Sequence, residues 1–433
     1  MFSPLANSAY RHLFAAQVSA LLGTGLATIA LGLLAHDLAG AKAGEILGAA
    51  LAIKMICYVG VAPVASAIAA NVPRKTLLVG LDLVRALVAI ALPFVTEAWQ
   101  IYGLMAVLYV ASAAFTPAFQ AMIPDILPDE ADYTKALSLS RLAADLESVA
   151  SPILAAALLG FMSYNNLFAG TSLGFVLSAV LVISAALPAL SRSQQRPFLQ
   201  RLTSGLNLFV HTPRLRALIG LSLATAAGGA MVFINTVVLV QSEYGLGESA
   251  TAWALAVFGA GSIFAALALP RLLEGRPDRT VLIAGALVMS AALGAGALFV
   301  RDYASMLVLW AVLGLGYSLT LTPVGRVLRR SSHAEDRPAL FAAQFALSHG
   351  AWLVAYPLSG FVSASAGTGS AFLTLCVLCI AGAGATALLW PADDPENVPH
   401  RHDDLPADHP HLEGGAHAHP LIIDDLHTRW PTR

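Results

Sequence analysis

What most constrains this chain is a near-unbroken succession of apolar runs, each long enough to cross a lipid bilayer. They fall near residues 13–36, 44–70, 76–96, 98–123, 137–160, 165–190, 215–240, 250–273, 280–300, 303–326, 340–364 and 370–390. About 20 residues of helix cross a hydrocarbon layer about 30 Å thick. Lipid offers no partner to a backbone N–H or C=O, so only helices and closed barrels can span it. These runs are long and continuous instead of ten-residue alternating strands, which selects helices. With 57% hydrophobic and 12% charged residues and a mean hydropathy of +0.72, the chain cannot be one soluble domain. The expected fold class is therefore an all-α membrane protein of twelve transmembrane helices, with the bilayer as its partner. The net charge of −2 says nothing about nucleic acid, and no basic domain that would bind it is visible, so no nucleic-acid partner is expected.

The runs repeat. Thr116-Pro117 closes the fourth and Thr322-Pro323 the tenth, Pro152 lies in the fifth and Pro357 in the eleventh, and Glu130 matches Glu335, at offsets of 205 or 206. VPRKTLLVG at 72–80 likewise matches RPDRTVLIAG at 276–285. Two pseudo-symmetric six-helix halves follow, with a site between them, which is the mark of a secondary transporter. The expected units are 1–190, a linker at 191–213, 214–391, and a tail at 392–433. The linker is Arg-rich, with apolar Phe198, Leu199, Leu202, Leu206 and Phe209, and reads as an interfacial amphipathic helix. Of 24 Lys and Arg, Lys42 and Arg301 fall on one side, Lys54 and Arg85 within spans, and the remaining 20 on the other side with both termini. The positive-inside rule makes that side cytoplasmic, so both termini are expected in the cytoplasm of a multi-pass inner-membrane protein.

Residues 133–160 carry two acids, Asp145 and Glu147, well inside an apolar run. A central Asp costs about 2.5–3.5 kcal/mol to insert, so such groups usually face a cavity or a partner and often mark a substrate or proton path. Ser138, Arg141, Asp145 and Ser148 share one helical face, and Ser140, Glu147 and Ser151 lie on another about 200° from Asp145. The two carboxylates cannot share one small site, and Arg141 stands one turn from Asp145. The repeat offset carries position 145 onto Gly350, beside His349, so two related helices hold ionisable groups at similar depth. Lys54 sits midway along the second run, either snorkelling or pairing with an acid, or else competing with a metal for a carboxylate. Cys57, Cys376 and Cys379 lie in apolar runs and suggest no disulfide framework.

From Pro391 the composition changes to proline, acids and histidine, for which little ordered structure is expected. Seven of the 12 histidines lie here: His400, His402, His409, His411, His417, His419 and His427. Three His-x-His pairs alternate with Asp and Glu. Imidazole suits Ni, Co, Zn and Cu, with carboxylates completing the coordination, so the tail is a candidate metal binder.

Over residues 10–392 the chain resembles transporters of the major facilitator superfamily. The family's loop signature Gly-x-x-x-Asp-Arg-x-Gly-Arg-Lys is degraded here to AIAANVPRK, which keeps Arg74 and Lys75 but has Asn71 for the acid and Pro73 for the second glycine. SLSRLAADLESVASP, MVFINTVVLV, LSHGAWLVAYPLSG and the ending LIIDDLHTRWP resemble the nickel-resistance branch, whose members export Ni(II) and sometimes Co(II). The superfamily's cavity arrangement implies Gln17, Thr24, Thr28, Tyr109, Ser112, Asn235, Thr236, Tyr317 and Thr320 as wall candidates, Asn235 foremost.

The resulting expectation is a monomeric exporter of Ni(II), and of Co(II), exchanged for protons, with the metal as substrate and no cofactor. Asp145, Glu147, His349, Asn235 and Lys54 form the expected metal or proton path. The alternative is an exporter of a siderophore or hydrophobic drug with the tail as a metal sensor. No nucleophile–base pair, His-Glu-x-x-His spacing or Walker loop points to an enzyme or to ATP as the energy source.

Overall fold

The computed structural model describes residues 1–69, 72–187, 197–395, 397–400, 417–424, 426–427 and 430–431. Six long helices form the first half: α1 (Ser8–Ala39), α2 (Ala43–Ala69), α3 (Arg74–Ala91), α4 (Ala98–Ile126), α5 (Glu130–Leu159) and α6 (Asn165–Ser184). A short helix, α7 (Phe198–His211), follows. The second half comprises α8 (Pro213–Val237), α9 (Glu248–Glu274), α10 (Asp278–Phe299), α11 (Tyr303–Leu321), α12 (Val324–Arg330) and α13 (Arg337–Leu389). Side-chain caps fix several starts, as the unpaired N–H groups of a first turn require. Asn7 accepts from the Tyr10 N–H at 3.1 Å, Asp129 from Asp132 at 2.8 Å and Asp302 from Ser305 at 2.8 Å.

One helix end differs from expectation. Pro117 does not close α4, which continues past Pro124 to Ile126, because neighbouring helices in a bundle can satisfy the carbonyls a proline frees. The Thr322-Pro323 pair does end α11. α13 covers both of the last two apolar runs, and Gly367, at φ 82°, leaves helical geometry between them and divides it into two helical parts. Each of the two parts is long enough to cross a hydrocarbon layer.

Among the described residues, eleven helices are long and apolar enough to cross a membrane. With α13 taken as one crossing, this odd number puts the termini on opposite sides, and that count overturns the expectation that both termini are cytoplasmic. Eleven or twelve long apolar helices, according to whether α13 is taken whole or divided at Gly367, make an all-α multi-pass membrane fold.

The halves meet along two seams. α5 packs on α9, and α13 packs on α2 and α4. The second half holds one continuous buried core drawn from α8, α9, α10, α11 and α13, whereas the first half splits into separate clusters toward its two ends. α7 buries Gly205, Leu208 and Phe209 against α13 and α2 and leaves Phe198, Leu199 and Val210 exposed, an amphipathic arrangement.

One end of the bundle is rich in arginine, and there the halves are clamped. Asp125 at the end of α4 accepts from Arg74 and from Arg337 of the opposite half. Arg326 pairs with Asp278 at 2.8 Å and reaches across to Glu130 and Thr134. Arg329 donates to the Pro128 carbonyl, with its guanidinium 5.3 Å from the Tyr133 ring. The side chains of Arg74, Asp125, Arg326 and Arg337 are each 13–15% exposed, so this network is shielded from full solvent screening.

Part of the tail is ordered against this same end, beyond what composition suggests. Strands β1 (Val398–His400) and β2 (His417–His419) pair antiparallel, with His400 opposite His417. Leu421 and Ile423 are buried, the latter in one core with Trp390. The buried Arg214 donates to the Leu421 carbonyl at 3.1 Å and lies 5.0 Å from the Trp430 ring. These few apolar residues in a polar segment provide the anchors.

Candidate functional site

Asp145 is buried in α5 and paired with Arg141 one turn earlier, through a 3.0 Å bond from Nε and a second contact from Nη2. The pair reaches across the seam to α9, where the Ser262 hydroxyl donates to Asp145 Oδ2 at 2.6 Å and lies 3.2 Å from Arg141 Nε. The Arg141 guanidinium also lies 5.1 Å from the ring of Tyr317 on α11. The carboxylate is thus neutralised within its own helix and anchored to the other half.

Glu147 points elsewhere, as the helical spacing requires. Its carboxylate accepts from Ser151 at 2.9 Å and fills the space above Gly25 of α1, where an added Cβ would lie 2.2 Å from Oε1. Among the described residues it makes no ion pair, so it is the half-buried acid of α5 whose charge no cation balances.

The other seam carries basic groups. Lys54 of α2 lies 5.6 Å from the Tyr58 ring and 6.0 Å from the Tyr109 ring of α4. His349 of α13 meets Tyr58 edge-on at 4.8 Å and packs on Phe345 at 4.2 Å. Its Nδ1 is 2.7 Å from the Phe345 carbonyl, an atom that can only accept, so Nδ1 carries the proton and Nε2 the lone pair of the neutral ring. Asn235 is fully buried between α8 and α13, donating to Ser359 at 2.7 Å, while its Oδ1 has no partner.

Several wall candidates make ordinary interhelical or intrahelical bonds. Gln17 accepts from Ser140 at 3.0 Å, Thr236 accepts from Trp310 at 2.8 Å, and Thr24, Thr28 and Thr320 donate to carbonyls of their own helices. Tyr317 joins Phe233, Phe258, Trp352 and Tyr356 in a linked aromatic wall of the second half, with ring centroids 4.9–6.3 Å apart.

Of the tail histidines, His402, His409 and His411 lie outside the described residues, and only the backbone of His400 and His417 is described. The rings of His419 and His427 meet edge-on with centroids 5.0 Å apart. Asp424 accepts from His427 Nδ1 at 2.9 Å and approaches Nε2 of His333, in the loop before α13, at 3.3 Å. Among the described residues, no group of three or more His, Cys, Asp or Glu side chains stands close enough to hold a metal ion. Asp145, Glu147 and His349 are therefore not assembled into one coordination site.

Sequence reasoning passed over one buried pair. Asp82 and Arg85 of α3 form a salt bridge, Ser178 of α6 donates to Asp82 at 2.8 Å, and the Arg85 guanidinium lies 4.0 and 4.6 Å from the rings of Phe115 and Phe175. The signal was available: an acid and a base three residues apart in an apolar run sit on one helical face. Enclosed within the first half, this pair reads as a scaffold element.

Two packed halves of membrane-crossing helices, with ionisable groups held at the seams between them, define a secondary transporter by fold and site. Residues 13–277 and 219–409 match the model of the Major Facilitator Superfamily, and the chain belongs to that family. It is a transporter family, and the chain is not an enzyme. The "Uncharacterized MFS-type transporter YfiS" of Bacillus subtilis is 27% identical over 215 residues, 47% of this chain, and the match spans only half of that relative's length. The human organic anion transporter MFSD10 superposes with a TM-score of 0.72 at 12% identity, over 88% of this chain and 99% of that one. FucP in its outward conformation gives 0.72 at 14% identity, with the same coverage, and a further structure of this E. coli fucose:proton symporter gives 0.71. At these identities the structures speak for the fold alone.

Proposed function

We propose that this transporter exports a divalent transition metal, Ni(II) and with it Co(II), in exchange for protons. The observation that carries the reading is the tail: a His- and acid-rich segment is seated on the clamped end of the bundle, with Asp424 between His427 and His333 of the transporter body. Metal collected there is delivered to the end where the two halves must part. Within the membrane, Glu147 is the group suited to exchange a proton for a cation, because among the described residues no arginine or lysine pairs with it. The Arg141–Asp145–Ser262 link serves as a tie between the halves that breaks and re-forms as they rock.

Uptake of radioactive Ni(II) into everted vesicles, driven by an imposed proton gradient, tests this. Wild type should accumulate the metal and lose it on adding a protonophore, and Glu147→Gln should reduce the initial rate at least tenfold. Absence of proton-driven nickel or cobalt movement would overturn the proposal. Deleting residues 398–433 should raise the half-saturating metal concentration while leaving the transport step in place.

A second reading, export of a siderophore or hydrophobic drug, is favoured by the aromatic wall around Tyr317 and Trp352. Aromatic faces suit apolar or cationic organic molecules better than a hydrated metal ion. Drug sensitivity without metal sensitivity in a deletion strain would select it.

A further inference from the structure

The membrane groups facing His349 bear on the chemical form in which the cargo is carried, an inference that rests on the metal reading above. His349 offers one good ligand atom. With Nδ1 bonded to the Phe345 carbonyl, Nε2 keeps a lone pair, the arrangement in which an imidazole ligates a metal while its other nitrogen is held by a carbonyl. Its surroundings do not suit a bare cation. The ammonium of Lys54 and the ring of His349 flank the same Tyr58 ring, at 5.6 and 4.8 Å. Among the described residues, no carboxylate pairs with Lys54; its neighbours are the faces of Tyr58 and Tyr109.

A dication arriving at Nε2 as its aquo ion would meet a like charge in a low-dielectric seam, where repulsion is poorly screened. Conversely, an ammonium kept within the bilayer without a counter-ion is costly, and a ligand anion would relieve that cost. The two defects cancel if cargo and counter-ion arrive together. Lys54 and Tyr58 come from α2, Tyr109 from α4, and Phe345 and His349 from α13, so the cluster spans the seam that must open during transport. A complex bound there would contact both halves at once.

We propose that the metal is bound here as an anionic carboxylate complex, with the metal on Nε2 of His349 and a carboxylate of its organic ligand on the ammonium of Lys54. The aromatic rings of Tyr58, Tyr109 and Phe345 wall the organic part. No covalent change is involved. The carboxylate could belong to a chelating acid that travels with the metal, or to a free organic acid that uses Lys54 alone, and the probes below separate the two.

The full chain reconstituted in proteoliposomes is assayed with radioactive Ni(II) in non-coordinating buffer, with the same metal in excess citrate, and with labelled citrate alone. Expected are nickel transport at least tenfold faster with citrate, co-movement of the citrate label, and no citrate movement without metal. Lys54→Met should abolish the citrate enhancement and Lys54→Arg should restore much of it, with thermal unfolding midpoints confirming that both variants are folded. If nickel moves as the free ion and citrate slows wild type and Lys54→Met alike, metal export stands and this proposal falls. If citrate moves alone, the site is an organic-acid site and the metal-complex proposal falls. If nickel moves in neither form, the metal reading itself falls and takes this one with it.

Discussion

Replacing Ser262 with Ala isolates the tie between the halves at the α5–α9 seam. The hydroxyl donates to Asp145 Oδ2 at 2.6 Å from the opposite half, while the Arg141–Asp145 pair lies entirely within α5 and is untouched by the change. The deletion therefore leaves no buried charge without its partner. A hydrogen bond to a charged group contributes about 1.5–3 kcal/mol, and this one exists only while the seam is closed. Its loss should shift the closed-to-open ratio by about 10- to 150-fold. Spin labels carried by Ala131→Cys and Arg276→Cys, exposed positions of the two halves at the arginine-rich end, would report the shift in a background lacking Cys57, Cys376 and Cys379. Electron–electron distance measurements should show one short population in the parent and a second, longer one in Ser262→Ala. An unchanged distribution would refute the argument, because it would mean that the tie carries no conformational free energy.

Four further outcomes follow from the same geometry. Asp145→Leu alone should lower stability by about 3–5 kcal/mol by leaving Arg141 uncompensated, whereas Arg141→Met with Asp145→Leu should return close to wild type in chemical denaturation, as replaced buried pairs often do. Gly25→Ala places a methyl group 2.2 Å from the Glu147 carboxylate and 2.1 Å from Ser151 Oγ, so about 1–3 kcal/mol of overpacking and a larger proportional loss of transport than of folded protein are expected in paired flux and unfolding assays. Leu421→Asp with Ile423→Asp should release the tail, read as faster limited proteolysis after residue 400 with the membrane core left intact. Asp125→Asn weakens the link to both Arg74 and Arg337, and cysteine accessibility at the arginine-rich end should rise several-fold, less in 1 M salt than in 0.1 M relative to wild type.

Most of the helices could be read directly, because a bilayer imposes a length and an apolarity that few other environments demand. The run near 215–240 became Pro213–Val237 and that near 250–273 became Glu248–Glu274. Where the reading failed, a local signal was overruled by packing, as at Pro117. The face assignment in α5 held: Asp145 looks across to α9 and Glu147 toward α1. The partners did not come from sequence. Ser262 is 117 residues from Asp145, and nothing in its own neighbourhood marks it as the hydroxyl that crosses the seam. The aromatic company of Lys54 was equally hidden, since Tyr58 is local but Tyr109 arrives through tertiary structure.

The internal repeat gives these contacts a common logic. The offset that relates α5 to the first part of α13 places Asp145 beside His349 in register, and each of these helices is the one that reaches into the other half, α5 onto α9 and α13 onto α2. The two seams therefore correspond under the repeat offset but are opposite in charge character. One is closed internally by an arginine–aspartate pair and tied by a serine; the other presents an ammonium and an imidazole lone pair with, among the described residues, no carboxylate paired to the ammonium. A seam that is already neutral can open and close without cargo, whereas one with an uncompensated charge gains stability only when something of opposite charge enters. Under the metal-complex proposal, that asymmetry makes the α2–α13 side the place where cargo is coupled to conformation and leaves the α5–α9 side to set the resting equilibrium.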